Sequence, residues 1–312
     1  MTAPIEVTVE NFARAESDRM LAALQAQAGG VNVLGHNRAP TAVHEQPVIR
    51  MNRDTLYSYA VVDLADDAVL TLPDAGDRYV SAMVVSQDHF VEQIEHDPGE
   101  HVLRRDRIGT RYALVAVRIL VDPADPADTA AVVGLQNGIA LRAGSADPFE
   151  LPDYEQHSFD DTRDALLSLA RGLPDFSGAF GARSEVDPVR HLVGSAAGWG
   201  GLPTREALYL NVAPGLPPDR YVLRVPPVPV DGFWSLSVYN AHGYFEPNEL
   251  DAYSVNSVTG VTEDDGSLVV HLGDWGPEAP NRLPLPDGWN YVVRLYRPRP
   301  EITDGRWTFP TL

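Results

Sequence analysis

The sequence predicts a mainly β protein built from a duplicated β module, with a few helices at the N-terminus and between the halves. Three observations carry that reading. Residues 51–86 hold three strand-like runs, 56–64, 68–72 and 78–85, with turn chemistry at Pro73-Asp74-Ala75-Gly76. Much of this stretch is repeated later. Arg53-Asp54-Thr55-Leu56-Tyr57 returns as Arg205-Glu206-Ala207-Leu208-Tyr209, Val69-Leu70-Thr71-Leu72-Pro73 as Val222-Leu223-Arg224-Val225-Pro226, and Tyr79-Val80-Ser81 as Phe233-Trp234-Ser235. The offsets of 152, 153 and 154 drift as one-residue loop insertions would make them, and the order is kept.

Taken in order, residues 9–28 have the apolar spacing of a helix, stopped by Gly29-Gly30. A polar loop with His36 then leads to the strands at 56–85, and a further strand is expected at 112–120. The acidic run Asp122 to Asp128 lacks the glycine and terminal glutamate of a calcium loop. Asp125 capping a helix that has Pro126 at its first position explains it better. A second short helix is expected at 160–171. Residues 142–200, dense in Pro, Gly, Ser and Asp, form the bridge between halves. Strands follow at 207–212, 221–225, 233–240, 267–272 and 289–296. Pairing Tyr112–Arg118 with Tyr291–Arg297, an offset of 179, implies an insertion between Asn240 and Gly288, and long insertions on β scaffolds are where binding loops sit.

Composition excludes whole classes of chemistry. Forty-four acidic against 24 basic residues give a formal charge of −20, which repels nucleic acid and anionic membranes. There is no cysteine, so thiol nucleophiles, disulfides and thiolate metal sites are out. Every basic residue is arginine, which rules out Schiff-base chemistry and a P-loop lysine. No dinucleotide, P-loop or zincin motif occurs, so no cofactor is expected. Gly-x-Ser-x-Gly is also missing, and Gly194-Ser195-Ala196-Ala197-Gly198 has its serine one place early. His89, His96 and His101 with Glu92 and Glu95 are ligand types without the His-x-His alternation of a strand-borne metal site, so no metal is expected. The N-terminus has no basic region followed by an apolar one, and no apolar run reaches a membrane span; the expected location is cytoplasmic.

Several long motifs are similar to a bacterial family of paired domains of unknown function, 1254 and 1214. For the first they are HNRAP at 36–40, NRDTLYS at 52–58, LTLPDAGDRY at 70–79, QDHF at 87–90 and GTRYALVAVR at 109–118. For the second they are AAGWGG at 196–201, EALYLN at 206–211, GFWSLSVYNAHGYFEPN at 232–248 and GWNYVVRLYRPR at 288–299. The resemblance implies tandem β-sandwich modules like a double jelly roll. Residues 1–150 would form the first with its N-terminal helix, 151–202 a helical and loop bridge, and 203–312 the second. Some members of the family carry a carboxylesterase label.

Candidate site residues follow from the duplication. Arg53, Asp54 and Tyr57 have counterparts in Arg205, Glu206 and Tyr209, so an Arg–carboxylate pair fixing the start of the strand is one reading of them. Residues present in one copy are the stronger functional candidates. His89 with its neighbour Asp88 ends a strand, and His242 holds the parallel place in the second half. An imidazole beside a carboxylate suits general acid/base work, while a satisfied loop histidine is the plainer account. Trp234, Leu236 and Val238 should point into the core and Tyr239 to the other face, where Tyr239 and Tyr244 could line a pocket.

The leading expectation is an enzyme acting on a small molecule by acid/base or hydrolytic chemistry, with Arg53, Asp54, Tyr57 and His89 at its centre. There Arg53 would hold an anionic or carbonyl oxygen, and Asp54 or His89 would move the proton. His36, Asn52, Asp88, Trp199, Tyr239, His242 and Tyr244 would contact the ligand. The alternative is a non-catalytic ligand-binding or assembly protein on the same scaffold. The expected partner is a small molecule, and a homo-oligomer is left open.

Overall fold

The duplicated strands organise two compact units in the computed structural model, which describes residues 3–46 and 48–312. The first unit comprises Met1–Arg38, Leu56–Ile119 and Ala131–Thr204; the second comprises Ala39–Thr55, Leu120–Ala130 and Arg205–Leu312. Segment 151–202 therefore groups with the first unit, and 39–55 and 120–130 group with the second.

In the first unit, α1 (Phe12–Ala28) ends at Gly29, whose φ of 90° turns its amide back to the Gln25 and Ala26 carbonyls. There follow β1 (Gly35–His36), β2 (Thr55–Asp63), β3 (Ala68–Leu72), β4 (Val80–Ser86), β5 (Val91–Glu95) and β6 (Gly99–Leu103). After the short α2 (Arg105–Ile108) come β7 (Tyr112–Leu120), α3 (Pro126–Asn137, whose first residues up to Ala130 group with the second unit), β8 (Ala140–Ala143), α4 (Gln156–Ala170) and α5 (Pro188–Ala197). One sheet has the order β1-β2-β7-β4-β5 and the other β6-β3-β8. Strands β4 and β7 are buried almost throughout, as near-continuous apolar runs in mid-sheet should be, whereas β3 alternates. A separate apolar cluster of Phe12, Phe159, Leu166, Val193 and Ala196 binds α1, α4 and α5.

The second unit contains β9 (Ala207–Val212), β10 (Tyr221–Val225), β11 (Trp234–Tyr239), β12 (Ser254–Asn256), β13 (Leu268–Leu272), β14 (Arg282–Leu283), β15 (Asn290–Tyr296) and α6 (Pro300–Thr303). Its sheets are β12-β11-β15-β9 and β10-β13-β14. One core cluster draws Trp234, Leu236, Val238 and Leu295 from the larger sheet and Leu223, Val270 and Leu272 from the smaller. Tyr239 lies in a different cluster with Phe245, Tyr253 and Val292. The alternation expected along β11 is thus present, with both faces covered.

The result is a mixed β/α fold of mostly antiparallel sheets, with β13 and β14 paired in parallel, and no closed barrel among the described residues. The repeat is visible in strand order: β2-β7-β4 in one sheet matches β9-β15-β11 in the other. Register corrects one alignment. Ser81 pairs with Arg118 and Ser235 with Arg294, so the central strands are related by 176 positions, not 179. Sequence similarity had aligned the aromatic ends of these strands; the ladder aligns their buried arginines. Asp125 caps α3 as expected, accepting the Ala127 amide at 2.8 Å.

The bridge holds more helix than its composition suggested. In α5, Asp187 caps the Val189 and Arg190 amides with Pro188 following, yet the buried face is His191, Val193, Gly194, Ser195 and Ala196. Small and polar residues there hide the apolar periodicity that marks a helix.

Leu70 and Leu223 occupy equivalent buried places in the two copies. Changing either to Ala should cost about 2–5 kcal/mol in urea unfolding. Val222→Ala, on the half-exposed face beside Leu223, should stay within about 0.5 kcal/mol.

Candidate functional site

The first candidate site centres on Asp54, in the second unit. Asn52 Oδ1 accepts the Asp54 amide at 2.8 Å, and the Asp54 carbonyl accepts the Val121 amide at 2.9 Å, which together set the carboxylate in place. Only 1% of the residue is exposed. Ser235 donates to Asp54 Oδ2 at 2.6 Å, and Oδ1, also buried, has no hydrogen-bond partner among the described residues. Burial pushes the Asp54 carboxyl up, against the opposing pull of the Arg294 cation and the Ser235 hydroxyl.

Arg294 is itself buried in mid-strand. It donates to Ser237 Oγ (3.0 Å), the Tyr239 hydroxyl (2.7 Å) and the carbonyls of Arg50 (2.8 Å) and Met51 (3.4 Å). Burial alone would lower its pKa; Tyr239, Tyr296 and Asp54 outweigh that and hold it above the usual arginine value. Tyr239 donates to the Met51 carbonyl, and Asn52 donates to the Tyr296 hydroxyl. The structure thus brings Asn52, Asp54 and Tyr239 together, and adds Arg294 and Ser235.

The expected pairing of Arg53 with Asp54 does not occur. Adjacent residues on an extended chain point to opposite sides. Asp54 goes inward to Ser235, while the Arg53 guanidinium lies 5.1 Å over the Tyr253 ring. Among the described residues Arg53 makes no hydrogen bond or ion pair, although its Nε is shielded from solvent. It lines a cavity of about 270 Å³ with Asp122, Asp251, Tyr253, Ser254, Thr259 and Arg282, all of the second unit. Much of that wall comes from the insertion between β11 and β15.

The second candidate centre is His89, in the first unit. It sits at φ 65° in the turn between β4 and β5, and is 1% exposed. Its Nδ1 lies 2.8 Å from Ser195 Oγ, a spacing that resembles a nucleophile and its base. Hydrogen-bond direction says otherwise. The Gly200 amide donates to Nε2 at 2.8 Å, so the ring proton is on Nδ1 and is donated to Ser195. Ser195 in turn donates its hydroxyl hydrogen bond to the His191 carbonyl at 2.9 Å. The ring has no lone pair left with which to take a proton from serine.

Burial, with His191 nearby, lowers the His89 pKa to about 3. Trp199 stacks on the ring at 5.5 Å and donates to Ser17 Oγ. Asp88 is held by Arg14 at 2.6 Å and Arg183 at 3.3 Å, and the His89 ring nitrogens meet Ser195 and Gly200 instead. His89 with Asp88 and Trp199 is a packing knot that ties the β4–β5 turn to α5.

The remaining candidates are dispersed. Tyr57 and His89 belong to the first unit and Arg53 and Asp54 to the second. Tyr57 lies under the Arg118 guanidinium at 5.2 Å. His36 Nδ1 meets Ser58 Oγ at 2.8 Å, its pKa lowered by burial and then by Arg38. His242 is exposed and Tyr244 half-buried; both give their amides to Asn240 Oδ1. His89 and His242, expected as equivalents, occupy opposite environments. His101 pairs with Glu95 at 3.3 Å, and among the described residues no group of three His, Asp or Glu side chains is placed to hold a metal ion.

Sequence reasoning missed Arg294, Ser195, Tyr253 and Arg282. One of these was legible: an arginine inside the apolar run Asn290–Tyr296 is a buried charge that needs partners.

Residues 31–92 match the family model described as protein of unknown function DUF1254, and 215–300 match that described as protein of unknown function DUF1214. No curated protein matches the chain. Among solved structures it is similar to the VPA0106 protein from Vibrio parahaemolyticus, with 16% identity over 97% of this chain and 96% of that one, at a TM-score of 0.77. An uncharacterized protein from Burkholderia cenocepacia is 14% identical over 93% of this chain and 85% of its own, at a TM-score of 0.52. At such identities the likeness concerns the fold.

Two outcomes test these assignments. Unfolded His89 protonates near pH 6.5 and folded His89 near 3, so its stabilisation is complete above 6.5 and is lost as pH falls toward 3. The slope should approach about 1.4 kcal/mol per pH unit, and His89→Asn, which suits the positive φ, should remove that slope in denaturant melts while lowering stability at pH 7. Asp54 has the opposite sign. Its raised pKa favours the fold below 3.8 and that contribution fades as pH rises through the folded value. Asp54→Asn should therefore keep or slightly raise the melting temperature at pH 7, and a loss of several degrees would show the ionised form to be required.

Proposed function

We propose that the protein binds a small molecule with an anionic or carbonyl group, and that Arg53 is the residue that holds it. The observation that carries this is the state of Arg53. Its guanidinium is fixed over Tyr253 at a cavity wall, with no protein acceptor among the described residues. A partly desolvated cation left this way costs free energy that a ligand oxygen would offset. Of the two classes weighed from the sequence, this favours non-catalytic ligand binding, because His89 has both ring nitrogens spent on protein partners. The enzymatic reading rests on one observation, the buried Asp54 with its raised pKa and unpartnered Oδ1.

The scaffold we propose is a pair of β-sandwich modules of double jelly-roll type, 1–150 and 203–312, with 151–202 between them in sequence. The matched strand orders support it. Among the described residues no helix is long and apolar enough to cross a membrane. The charge of −20 argues against nucleic acid as the partner.

Calorimetric titration of wild type and Arg53→Gln with small carboxylates tests the binding reading. Losing a charge-assisted bond of about 1.5–3 kcal/mol should weaken binding about 10- to 100-fold. The melting temperature should change little, since among the described residues Arg53 makes no hydrogen bond or ion pair and gives up only its contact with the Tyr253 ring. Carboxylates that bind both proteins equally would sink it.

A further inference from the structure

We infer that the ligand of the Arg53 cavity is a hydroxylated carboxylate of monosaccharide size, a sugar acid; this rests on the reading of Arg53 given above. The reasoning turns on which lining groups the protein has already used. Asn256 spends its side-chain oxygen on the Val258 and Thr259 amides. Asn281 is spent on both sides, accepting from the Val261 amide and donating to the Val261 and Val269 carbonyls.

Five groups keep capacity. Among the described residues Arg53 makes no hydrogen bond or ion pair and rests only on the Tyr253 ring, and the Arg282 guanidinium makes one long bond, 3.4 Å to the Trp275 carbonyl. The Ser254 and Thr259 hydroxyls have no protein partner among the described residues. Asp122 uses one carboxylate oxygen on the Ala124 amide and keeps the other. The cavity therefore offers guanidinium donors, a carboxylate acceptor and two hydroxyls that both donate and accept.

Few ligand classes match that set. A plain fatty or aromatic acid would answer Arg53 and put apolar atoms against Asp122 and the hydroxyls, leaving them unmatched. A dicarboxylate would set its second charge in a wall that holds Asp122 and Asp251. A neutral sugar would leave Arg53 unpaired. An amino acid would pair its ammonium with Asp122 but leave both serine and threonine hydroxyls without polar partners. A sugar acid answers all of them, its carboxylate on guanidinium and its hydroxyls on Asp122, Ser254 and Thr259. A cavity of about 270 Å³ falls just below the roughly 300–1,000 Å³ usual for drug-sized ligands, which suits a single sugar unit.

The test is calorimetric titration of the full chain with D-gluconate and D-glucuronate, against D-glucose, hexanoate and L-alanine. At least one sugar acid should bind about tenfold or more tightly than each of the three controls, and Arg53→Gln should erase the preference over glucose. Asp122→Asn and Ser254→Ala should each weaken the sugar acid about three- to tenfold while leaving hexanoate unchanged. Hexanoate or alanine binding as tightly as the sugar acids, in an Arg53-dependent way, would overturn this inference and leave the Arg53 reading standing. Sugar acids that fail to bind would also overturn it. Carboxylates indifferent to Arg53→Gln would remove both.

Discussion

A guanidinium buried in the middle of a sheet constrains more of this molecule than any other single group. Arg294 sits on β15 between Ser235 of β11 and Tyr209 of β9, and only 3% of it reaches solvent. Stripping a cation of water costs several kcal/mol, so oxygens must replace the lost hydration. Two come from side chains of the sheet, Ser237 and Tyr239, and two from the backbone at Arg50 and Met51. The demand for those carbonyls explains why segment 39–55, which precedes the first duplicated strand, is built into the second unit. Asp54 arrives with it.

The other copy repeats the device with different partners. Arg118 holds the matching place on β7, opposite Ser81 and under the Tyr57 ring, and donates to the Gly200 carbonyl at 3.2 Å. Gly200 lies shortly before β9, as Arg50 lies shortly before β2. Duplication has preserved an arginine, a serine across the ladder and a tyrosine on the flanking strand, together with the carbonyl of an incoming loop. The carboxylate has not kept one role: Arg205 and Glu206 form the expected pair at 3.8 Å, whereas Asp54 turns to Ser235 and away from Arg53.

Arg53 and Arg294 have the same charge in opposite circumstances. Arg294 is surrounded by oxygens and has nothing left to offer a ligand. Arg53 rests on an aromatic face and has all its donors to give. His89 and Asp54 show a similar contrast. A histidine 2.8 Å from a serine suggests catalysis until the Gly200 amide fixes the tautomer, whereas Asp54 keeps a buried oxygen unused. Spent or unspent hydrogen-bonding capacity, rather than residue type, separates Arg294 and His89 from Arg53 and Asp54.

What the sequence determined by itself was local and periodic. Strands β3, β7, β9 and β10 lie where alternation and apolar runs put them, the Asp125-Pro126 cap opens α3, and the order of the repeat is the order of the sheets. The two faces of β11 and the insertion that supplies the cavity wall were legible for the same reason: side-chain direction in a strand has period two, and loop length is read by counting. Tertiary structure alone decided the three-residue shift between β7 and β15, because only the ladder registers Ser81 on Arg118 and Ser235 on Arg294. It alone decided that Asp54 faces Ser235 while Arg53 faces Tyr253. Those partners lie 181 and 200 residues away in the chain, and a burial cost shared at that distance leaves no trace in local spacing.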